Sequence, residues 1–420
     1  MKGRYNPFKP NSPVYTGMFA GRLSETDRID EILNQTKLGN PSYILIIGER
    51  GRGIGKSSLL LVANHFAKGT LTWEHQEHNF LTVQVSVNDD TSLIDLARKI
   101  NTGINRELEK SESAIAFCKK TWMFLQKIEI AGTKYRDEKQ DQNTQEIGDN
   151  LSLSIADTFN AITNSSKLTD LGLRKQKDGI VILIDEADNT SKKLNLGAFL
   201  KNLSETLTKE GCENVLVILA GLPRLRENLR ESHPSSLRLF EELELSQLSS
   251  NEVEDVIKRG LKESNDKHAS EEPVNVSDDA IKHIATFSEG YPHFVQQIGY
   301  SSFNVNTDNI IDENDVQNAI LSKGGAIDLI GDKYYKDLYF NRINVDSYRQ
   351  IPNIMAEKWN KWISKKEIEK DFKGKPSALD NGLKALRDRN IILSKPGARG
   401  QYRLQWRSFA LWIKLFTSQK

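Results

Sequence analysis

A glycine-rich segment followed by a lysine and two serines carries the most direct chemical meaning in this chain. Backbone N–H groups can close around phosphate oxygens where glycine permits tight turns. Lys56 would then supply positive charge to the β- and γ-phosphates of a nucleotide, and the Ser57 hydroxyl would bind Mg²⁺. The candidate binding residues of this segment are Gly51, Gly53, Gly55, Lys56, Ser57 and Ser58. They predict a site for ATP or ADP with Mg²⁺.

The flanking segments have the patterns of the elements that such a loop needs. Residues 43–48 are an apolar, β-branched run that predicts a strand, and apolar residues recur with helical spacing over about 56–67. A helix that begins at the loop points its positive dipole end at the phosphates. The usual motif has four residues between its first glycine and Gly-Lys-Ser, whereas six separate Gly48 from Gly55. The sequence therefore predicts a loop with surplus residues near its start. The alternative is a glycine-rich turn with a solvated lysine.

A second segment ends in two carboxylates. Residues 180–184 are apolar throughout, as in a central parallel strand covered on both faces, and Asp185 and Glu186 follow directly. Ligands of an open α/β sheet bind at the carboxyl ends of its strands. Asp185 is thus a candidate Mg²⁺ ligand, and Glu186 is a candidate base for the attacking water. The pair alone is also compatible with an ordinary strand-end turn, but together with the loop it predicts an ATPase site.

Composition indicates a folded chain without membrane spans. Of the 420 residues, 38% are hydrophobic and 27% charged, and a chain of this length accommodates two or three domains. The sequence has no run of 18 apolar residues, and its first residues lack the apolar core of a signal peptide. The two cysteines, Cys118 and Cys212, lie far apart and suit a reducing compartment. These features predict a cytoplasmic protein without membrane association.

The near-neutral net charge hides an asymmetry. Residues 361–420 contain 15 Lys and Arg against 5 Asp and Glu, whereas the rest of the chain is acidic. A basic terminal region predicts contact with nucleic acid or another polyanion. The alternative is a lysine-rich solvated surface.

The order of patterns predicts an α/β fold followed by helices. Strands alternate with helices up to a short predicted strand at 243–248, which implies a mostly parallel sheet with helices on both faces. Ser249 and Glu252 form a capping-box pattern that opens the helical part. Residues 133–150 are too polar to pack and are predicted to be mobile. The predicted domains are a P-loop core at 1–247 with an insertion at about 112–178, an all-helical lid at 248–325, and a linker helix with a winged-helix domain at 326–420.

Several of these segments resemble the AAA+ ATPases. Within that class the chain resembles the origin-recognition/Cdc6-like branch, which is related to the STAND ATPases, and bacterial ATP-binding proteins of that branch with a C-terminal winged helix. The segments are Asn6-Pro-Phe-Lys-Pro, Phe19-Ala-Gly-Arg22, Gly55-Lys-Ser57, Asp185-Glu186, Ala220-Gly-Leu-Pro223 and Gly290-Tyr-Pro-His-Phe-Val-Gln296. They extend over most of the chain but do not specify a biological role.

The resemblance implies further site residues. Arg22 would lie near the adenine, and Pro292 would lie in a turn similar to the Gly-x-Pro turn of STAND ATPases. Arg238 is a candidate arginine finger for a neighbouring subunit's nucleotide. Its rivals for that role are Arg224 and Arg226. The resemblance therefore also implies self-association or a partner protein.

Two departures from the family pattern concern hydrolysis. Ala220-Gly221 occupies the place of a polar first sensor, and the turn at 289–293 lacks the arginine of a second sensor. The sequence therefore predicts an enzyme that binds Mg-ATP better than it hydrolyses it. We expect a slow ATPase that works as a nucleotide-controlled switch.

The basic C-terminal region has the pattern of a winged helix. Helices are predicted at 345–359, 364–372 and 377–389, followed by strands at 391–394 and 401–406. In such motifs the third helix enters the major groove of DNA and the turn between the strands contacts the backbone. The candidate phosphate contacts are Lys375, Lys384, Arg387, Lys395, Arg399 and Arg403. Two hypotheses remain open: an ATP-controlled DNA-binding factor, or a STAND-like signalling or defence protein whose winged helix docks a protein partner.

Overall fold

The computed structural model describes residues 3–14, 19–48, 53–73, 77–108, 111–126, 140–167, 171, 173, 175–190, 194–358 and 361–417. Side chains within 140–143 are not among those described. The chain divides into two compact units. Arg22–Ser246 forms the core unit, and Met1–Gly21 together with Gln247–Lys420 forms the C-terminal unit.

The core unit is built on a parallel sheet. Its strands are β1 (Tyr43–Gly48), β2 (Leu81–Ser86), β3 (Ile180–Asp185), β4 (Val215–Gly221) and β5 (Phe240–Leu245). They lie in the order β2-β3-β4-β1-β5, and each neighbouring pair is parallel. All residues of β1 and β4 are buried, as expected for central strands covered on both faces. The carboxyl ends of all five strands therefore meet at one edge of the sheet.

Helices surround this sheet. They are α1 (Leu23–Lys37), α2 (Lys56–Lys68), α3 (Leu93–Leu108), α4 (Glu112–Thr121), α5 (Gln140–Ile162), α6 (Leu196–Lys209) and α7 (Arg224–Ser232). In α3 the buried residues recur at helical spacing, so one face packs inward and the other faces solvent. The predicted α/β architecture with a P-loop core is confirmed.

Two predictions in the core unit need correction. The last strand runs Phe240–Leu245 and not 243–248, because it pairs with the whole of β1 from Tyr43 to Gly48. Acidic residues at its start obscure the strand pattern; Glu241, for example, accepts hydrogen bonds from Arg28 at the sheet edge. The segment 133–150, predicted to be mobile, is helical from Gln140 onward, where α5 begins, and residues 133–139 lie outside the described residues. The buried apolar residues Ile147, Leu151 and Ile155 anchor that helix.

The C-terminal unit begins with the first residues of the chain. Phe8 is buried, and Gly299 approaches its ring so closely that an added Cβ would lie 2.7 Å from it. The Arg4 guanidinium donates to the Glu272 carbonyl oxygen at 2.7 Å, and the Lys9 N–H donates to Gln296. Residues 3–14 therefore belong with the helices of this unit, whereas the sequence had grouped them with the P-loop core.

Helices dominate the C-terminal unit. They are α8 (Ser250–Lys267), α9 (Asp278–Ser288), α10 (Pro292–Val305), α11 (Glu313–Leu321), α12 (Ala326–Ile330), α13 (Asp346–Glu357), α14 (Lys365–Asp371), α15 (Pro376–Asp388) and α16 (Arg407–Phe416). Two π-helical segments, Gly331–Tyr335 and Asp337–Arg342, follow α12. Ser249 caps α8 with Glu252 in a capping box, as the sequence predicted. The sequence did not predict α16, which packs Trp412 into a core of aromatic rings.

Small sheets complete this unit. Strands β6 (Asn275–Val276) and β7 (Ile310–Ile311) form one pair. Strands β8 (Ile363–Ser364), β9 (Ile392–Ser394) and β10 (Gln401–Leu404) form an antiparallel sheet in the order β8-β10-β9. Among the described residues, we find no helix with the length and apolar character needed to cross a membrane.

Candidate functional site

The lysine of the glycine-rich loop folds back over the end of β1. An added Cβ on Gly48 would lie 3.2 Å from Lys56 Nζ and 2.6 Å from the Ile54 side chain. Only glycine fits this position, because both neighbours would overlap any larger side chain. The loop therefore closes between Gly48 and Gly55, with the six intervening residues that the sequence indicated.

The second half of the loop has left-handed backbone geometry. Gly53 and Gly55 have φ of 88° and 99°, values that residues with side chains rarely adopt. Gly55 is the N-cap of α2, so the helix begins at Lys56 and its first N–H groups face the loop. Lys56, Ser57 and Ser58 are half-buried. Gly51 and the preceding surplus residues lie outside the described residues.

Arg22 holds this loop in place. Its guanidinium is 7% exposed and donates to the Ile54 carbonyl oxygen at 3.1 Å and to the Ser246 carbonyl oxygen at 2.5 Å. Glu25 accepts a further hydrogen bond from it at 3.3 Å. Arg22 thus ties the loop to the end of β5. The resemblance implies that Arg22 lies near the adenine, and the contacts described show in addition that it positions the loop.

The two carboxylates stand at the carboxyl end of β3. Asp185 is half-buried, and its Oδ1 accepts the Glu186 N–H at 2.8 Å. Glu186 is exposed and has a φ of 55°, so the chain turns sharply away from the sheet at this residue. Strand β4 alone separates β3 from β1, which sets these carboxylates about two strand spacings, roughly 10 Å, from the loop. A gap of that size accommodates phosphate groups and a hydrated cation.

A third acidic residue explains the missing polar sensor at the end of β4. The Asp188 side chain is 4% exposed and accepts a hydrogen bond from Arg224 Nε at 2.9 Å. An added Cβ on Gly221 would lie 3.0 Å from Asp188 Oδ1 and 2.8 Å from the Leu225 side chain. The turn that carries Asp188 therefore packs directly on β4 and leaves no room for a polar side chain at Gly221. Sequence reasoning missed this role, although Asp188 follows Asp185-Glu186-Ala187 directly.

The three candidate finger arginines differ in their partners. Arg224 is paired with Asp188, and Arg226 donates to Glu242 on β5 at 2.9 Å. Arg238 lies in the short 3₁₀ turn Ser236–Leu239 and is exposed. Its side chain has no ion-pair partner within the described part of the chain. Arg238 is thus the one of the three whose charge is not already neutralised inside the core unit.

The turn expected to carry a second sensor lies in the C-terminal unit. Glu289 and Gly290 have φ of 49° and 71°, and Pro292 begins α10. An added Cβ on Gly290 would lie 2.1 Å from the Leu248 carbonyl oxygen, so glycine is required. Burial, together with the nearby Lys333 ammonium, lowers the pKa of His293 to about 4. His293 is therefore neutral at pH 7 and cannot replace the missing arginine as a cation.

The candidate DNA contacts divide into two groups. Lys375, Lys384, Arg387, Lys395 and Arg399 are all exposed. They lie on α15, next to its start, or in the turn between β9 and β10. Helix α15 buries its apolar residues, such as Leu383 and Leu386, and turns Lys384 and Arg387 to solvent.

Arg403 lies apart from that group. It is half-buried on β10, and its guanidinium stacks 4.8 Å from the centre of the Trp362 ring. It lines a cavity together with residues of α8 and α9. Arg403 therefore does not share the exposed surface of Lys395 and Arg399.

Comparison with known proteins supports the fold. No family model matches the chain. The Walker-type ATPase PABY2304 of Pyrococcus abyssi has a TM-score of 0.56 at 15% identity, and the match covers 97% of this chain and 99% of that one. The ORC2 protein of Aeropyrum pernix, in its ADPNP–ADP complexes, has a TM-score of 0.53 at 16% identity, covering 99% and 98%. Both likenesses concern the fold alone, which is a parallel α/β core followed by a helical C-terminal region.

One curated relative is similar in sequence. An uncharacterized HTH-type transcriptional regulator of Methanocaldococcus jannaschii is 28% identical over 304 residues. The match covers 70% of this chain and 65% of the relative, so the chain spans less than two thirds of that protein.

Proposed function

We propose that the protein binds Mg-ATP at the carboxyl edge of its parallel sheet and works as a nucleotide-controlled switch. The observation that carries this proposal is the arrangement at that edge. A loop with left-handed Gly53 and Gly55 leads into α2 at Lys56, and Asp185 and Glu186 stand at the end of β3, separated from β1 only by β4. Backbone N–H groups, a lysine and carboxylates at this spacing suit a nucleotide triphosphate with its cation.

Each residue has a role in this proposal. The N–H groups after Gly53 and Gly55 bind phosphate oxygens, and Lys56 neutralises the β- and γ-phosphates. Mg²⁺ fits the hydroxyl of Ser57 and the carboxylate of Asp185, since it prefers hard oxygen ligands. Glu186 accepts the proton of the attacking water. Arg22 acts indirectly, because its hydrogen bond to the Ile54 carbonyl oxygen fixes the loop.

The same site favours slow turnover. Gly221 offers no side chain to orient the water, and Asp188 with Arg224 occupies the space beside it. Arg238 is exposed and suits a contact with the nucleotide of a second copy of this chain. Hydrolysis would then depend on self-association, and ATP would stay bound for long periods. This behaviour is typical of a switch rather than of a motor.

We further propose that residues 345–417 bind DNA as a winged helix. Exposed Lys384 and Arg387 on α15 and exposed Lys395 and Arg399 on the turn after β9 support this assignment. The description of the Methanocaldococcus jannaschii relative as an HTH-type transcriptional regulator also favours this assignment. Such contacts would go to DNA phosphates, which give affinity without sequence information.

A protein-docking role is the second candidate. Its support is that α15 also exposes Asp380 and Asp388, and that Asp380 pairs with Lys365 at 2.6 Å. Carboxylates on the same surface oppose contact with phosphates. The Glu289-Gly290-Tyr291-Pro292 turn, similar to that of STAND ATPases, favours a signalling protein whose C-terminal region holds a protein partner.

One experiment separates these candidates. The full chain is titrated with a fluorescent DNA duplex at several salt concentrations, without nucleotide, with Mg-ADP and with a non-hydrolysable Mg-ATP analogue. A DNA-binding switch gives salt-dependent affinity that changes with the nucleotide. Nucleotide binding by calorimetry without any DNA binding would retain the ATP site and favour the docking role. Absence of nucleotide binding would overturn the ATP proposal itself.

A further inference from the structure

A cavity in the C-terminal unit has the features of a second, unassigned ligand site. It has a volume of about 770 Å³, within the usual range for small-molecule sites. One wall is formed by the first turns of α8 and by α9, and the other by Arg403 and Arg407 at the end of β10 and the start of α16. We propose that this cavity binds a small phosphomonoester that carries hydroxyl or amino groups, such as a sugar phosphate.

The first reason is the unused hydrogen-bonding capacity of Arg403. Its Nε is buried without an acceptor, and the guanidinium donates no hydrogen bond to any residue that the structure describes. Stacking on Trp362 fixes the plane of this guanidinium. An oriented guanidinium fork matches two oxygens of a phosphate.

The second reason is the state of Arg407. Its Nε is also buried without a hydrogen-bond acceptor, and it lies 3.7 Å from Glu289 Oε1. The Arg407 N–H, the first of α16, donates to Glu289 Oε2 at 2.6 Å. Glu289 therefore occupies the positive end of this helix as a carboxylate from the chain itself. A phosphate dianion carries more negative charge than the Glu289 carboxylate. It can therefore take the place of this carboxylate beside the two arginines.

The opposite wall determines the rest of the ligand. Asn251, Glu254 and Asp278 also line the cavity, as does Lys282, whose ammonium pairs with Asp279. Their oxygens are acceptors for hydroxyl and amino groups, and two carboxylates there disfavour a second anionic group. A compact molecule with one phosphate and several hydroxyl groups satisfies both walls. All lining residues of this cavity belong to the C-terminal unit, and the proposal does not rest on the proposed ATP binding.

Calorimetry on the full chain tests the proposal. The probe is ribose 5-phosphate, with ribose as the control that lacks only the phosphate, and the protein carries Lys56→Ala to silence the loop. We expect saturable binding of ribose 5-phosphate and none of ribose. Arg403→Ala and Arg407→Ala should each weaken binding about tenfold or more, because each removes a charge-assisted hydrogen bond. Arg403→Lys should retain part of the affinity.

Two further variants sharpen the result. Glu289→Gln should strengthen binding several-fold, because it removes the competing negative charge. Lys262→Ala, an equal loss of charge on the exposed face of α8, should leave affinity unchanged. No saturable binding, or equal binding by Arg403→Ala protein with unchanged thermal stability, would overturn the proposal. It would also fail if Arg403→Ala weakened binding of a DNA duplex while ribose 5-phosphate did not bind, since Arg403 would then be a DNA contact.

Discussion

The candidate nucleotide site of the core unit and the basic surface of residues 345–417 use charge in opposite ways. In the core unit, Arg22 and Asp188 are buried. Arg22 is held by its hydrogen bond to the Ile54 carbonyl oxygen, and Asp188 by the hydrogen bond it accepts from Arg224. On the basic surface, Lys395 and Arg399 are exposed on a turn between two strands. A transferred phosphate requires fixed distances from its base and its cation, whereas DNA phosphates tolerate mobile side chains. This difference fits the proposed roles, in which chemistry belongs to the first region and DNA affinity to the second.

The largest expected effect is on turnover in the core unit. Glu186→Gln should keep nucleotide affinity and lower the rate of ATP hydrolysis by about 10²- to 10⁴-fold, because a carboxamide cannot accept the proton of the attacking water. Phosphate release measures the rate, and Glu205→Gln on the exposed end of α6 is the matched control. Hydrolysis at the parental rate would remove Glu186 from the role of base.

The second-largest expected effect is on nucleotide affinity, when the lysine of the loop is replaced. Lys56→Ala should weaken Mg-ATP binding at least about 100-fold, since it removes the charge that neutralises two phosphates. Calorimetry measures the affinity. Lys68→Ala, at the last residue of the same helix, removes an equal charge that pairs with Glu107 and should leave binding unchanged. Unaltered affinity in the Lys56 variant would move the nucleotide site away from the loop.

Substitutions on the basic surface should have smaller and less specific effects than those in the core unit, although DNA binding as a whole should depend strongly on salt. With about four to six phosphate contacts, DNA affinity should fall about 10²- to 10³-fold between ~50 and ~200 mM salt. The double change of Lys395 and Arg399 to Ala should reduce the log–log salt slope by roughly 2 and weaken all sequences alike. Fluorescence anisotropy on two unrelated duplexes measures both quantities.

The control for that experiment is the same loss of charge elsewhere. Arg259 and Lys262 are exposed on α8, outside residues 345–417, and their change to Ala should leave the slope unaltered. A slope that changed equally in both double variants would mean that net charge, and not this surface, governs binding. A change confined to one DNA sequence would mean that the turn reads bases.

The smallest expected effect concerns ion pairs. Asp188→Ala should lower the free energy of unfolding by about 1.5–3 kcal/mol, because the buried carboxylate accepts a charge-assisted hydrogen bond from Arg224. Asp380→Ala removes the partner of Lys365 on the basic surface and should cause no resolvable change, since exposed pairs contribute little. Urea denaturation compares the two. Equal losses would contradict the view that only the core unit relies on fixed charges.

The sequence alone determined most of the elements and their order. Helix α3 (Leu93–Leu108) can be read from the sequence, because its apolar residues repeat with a clear helical period. Strands β1 and β3 were also predictable, since uninterrupted apolar runs are typical of central parallel strands. The capping box at Ser249 marked a helix start correctly, because it depends on residues only three apart. Local patterns therefore carried the fold class.

Tertiary structure decided the partners of the charged residues. Nothing local indicates that Arg22 reaches the Ile54 carbonyl oxygen, 32 positions away, or that Asp188 accepts from Arg224, 36 positions away. Arg403 has the sequence context of a DNA contact, yet its side chain stacks on Trp362 and lines a cavity. Strand β5 starts at Phe240 because β1 pairs with it there, although its acidic residues obscure the strand pattern. Apolar periodicity is a local property of the sequence. The partner of a long charged side chain, in contrast, depends on which distant elements pack beside it.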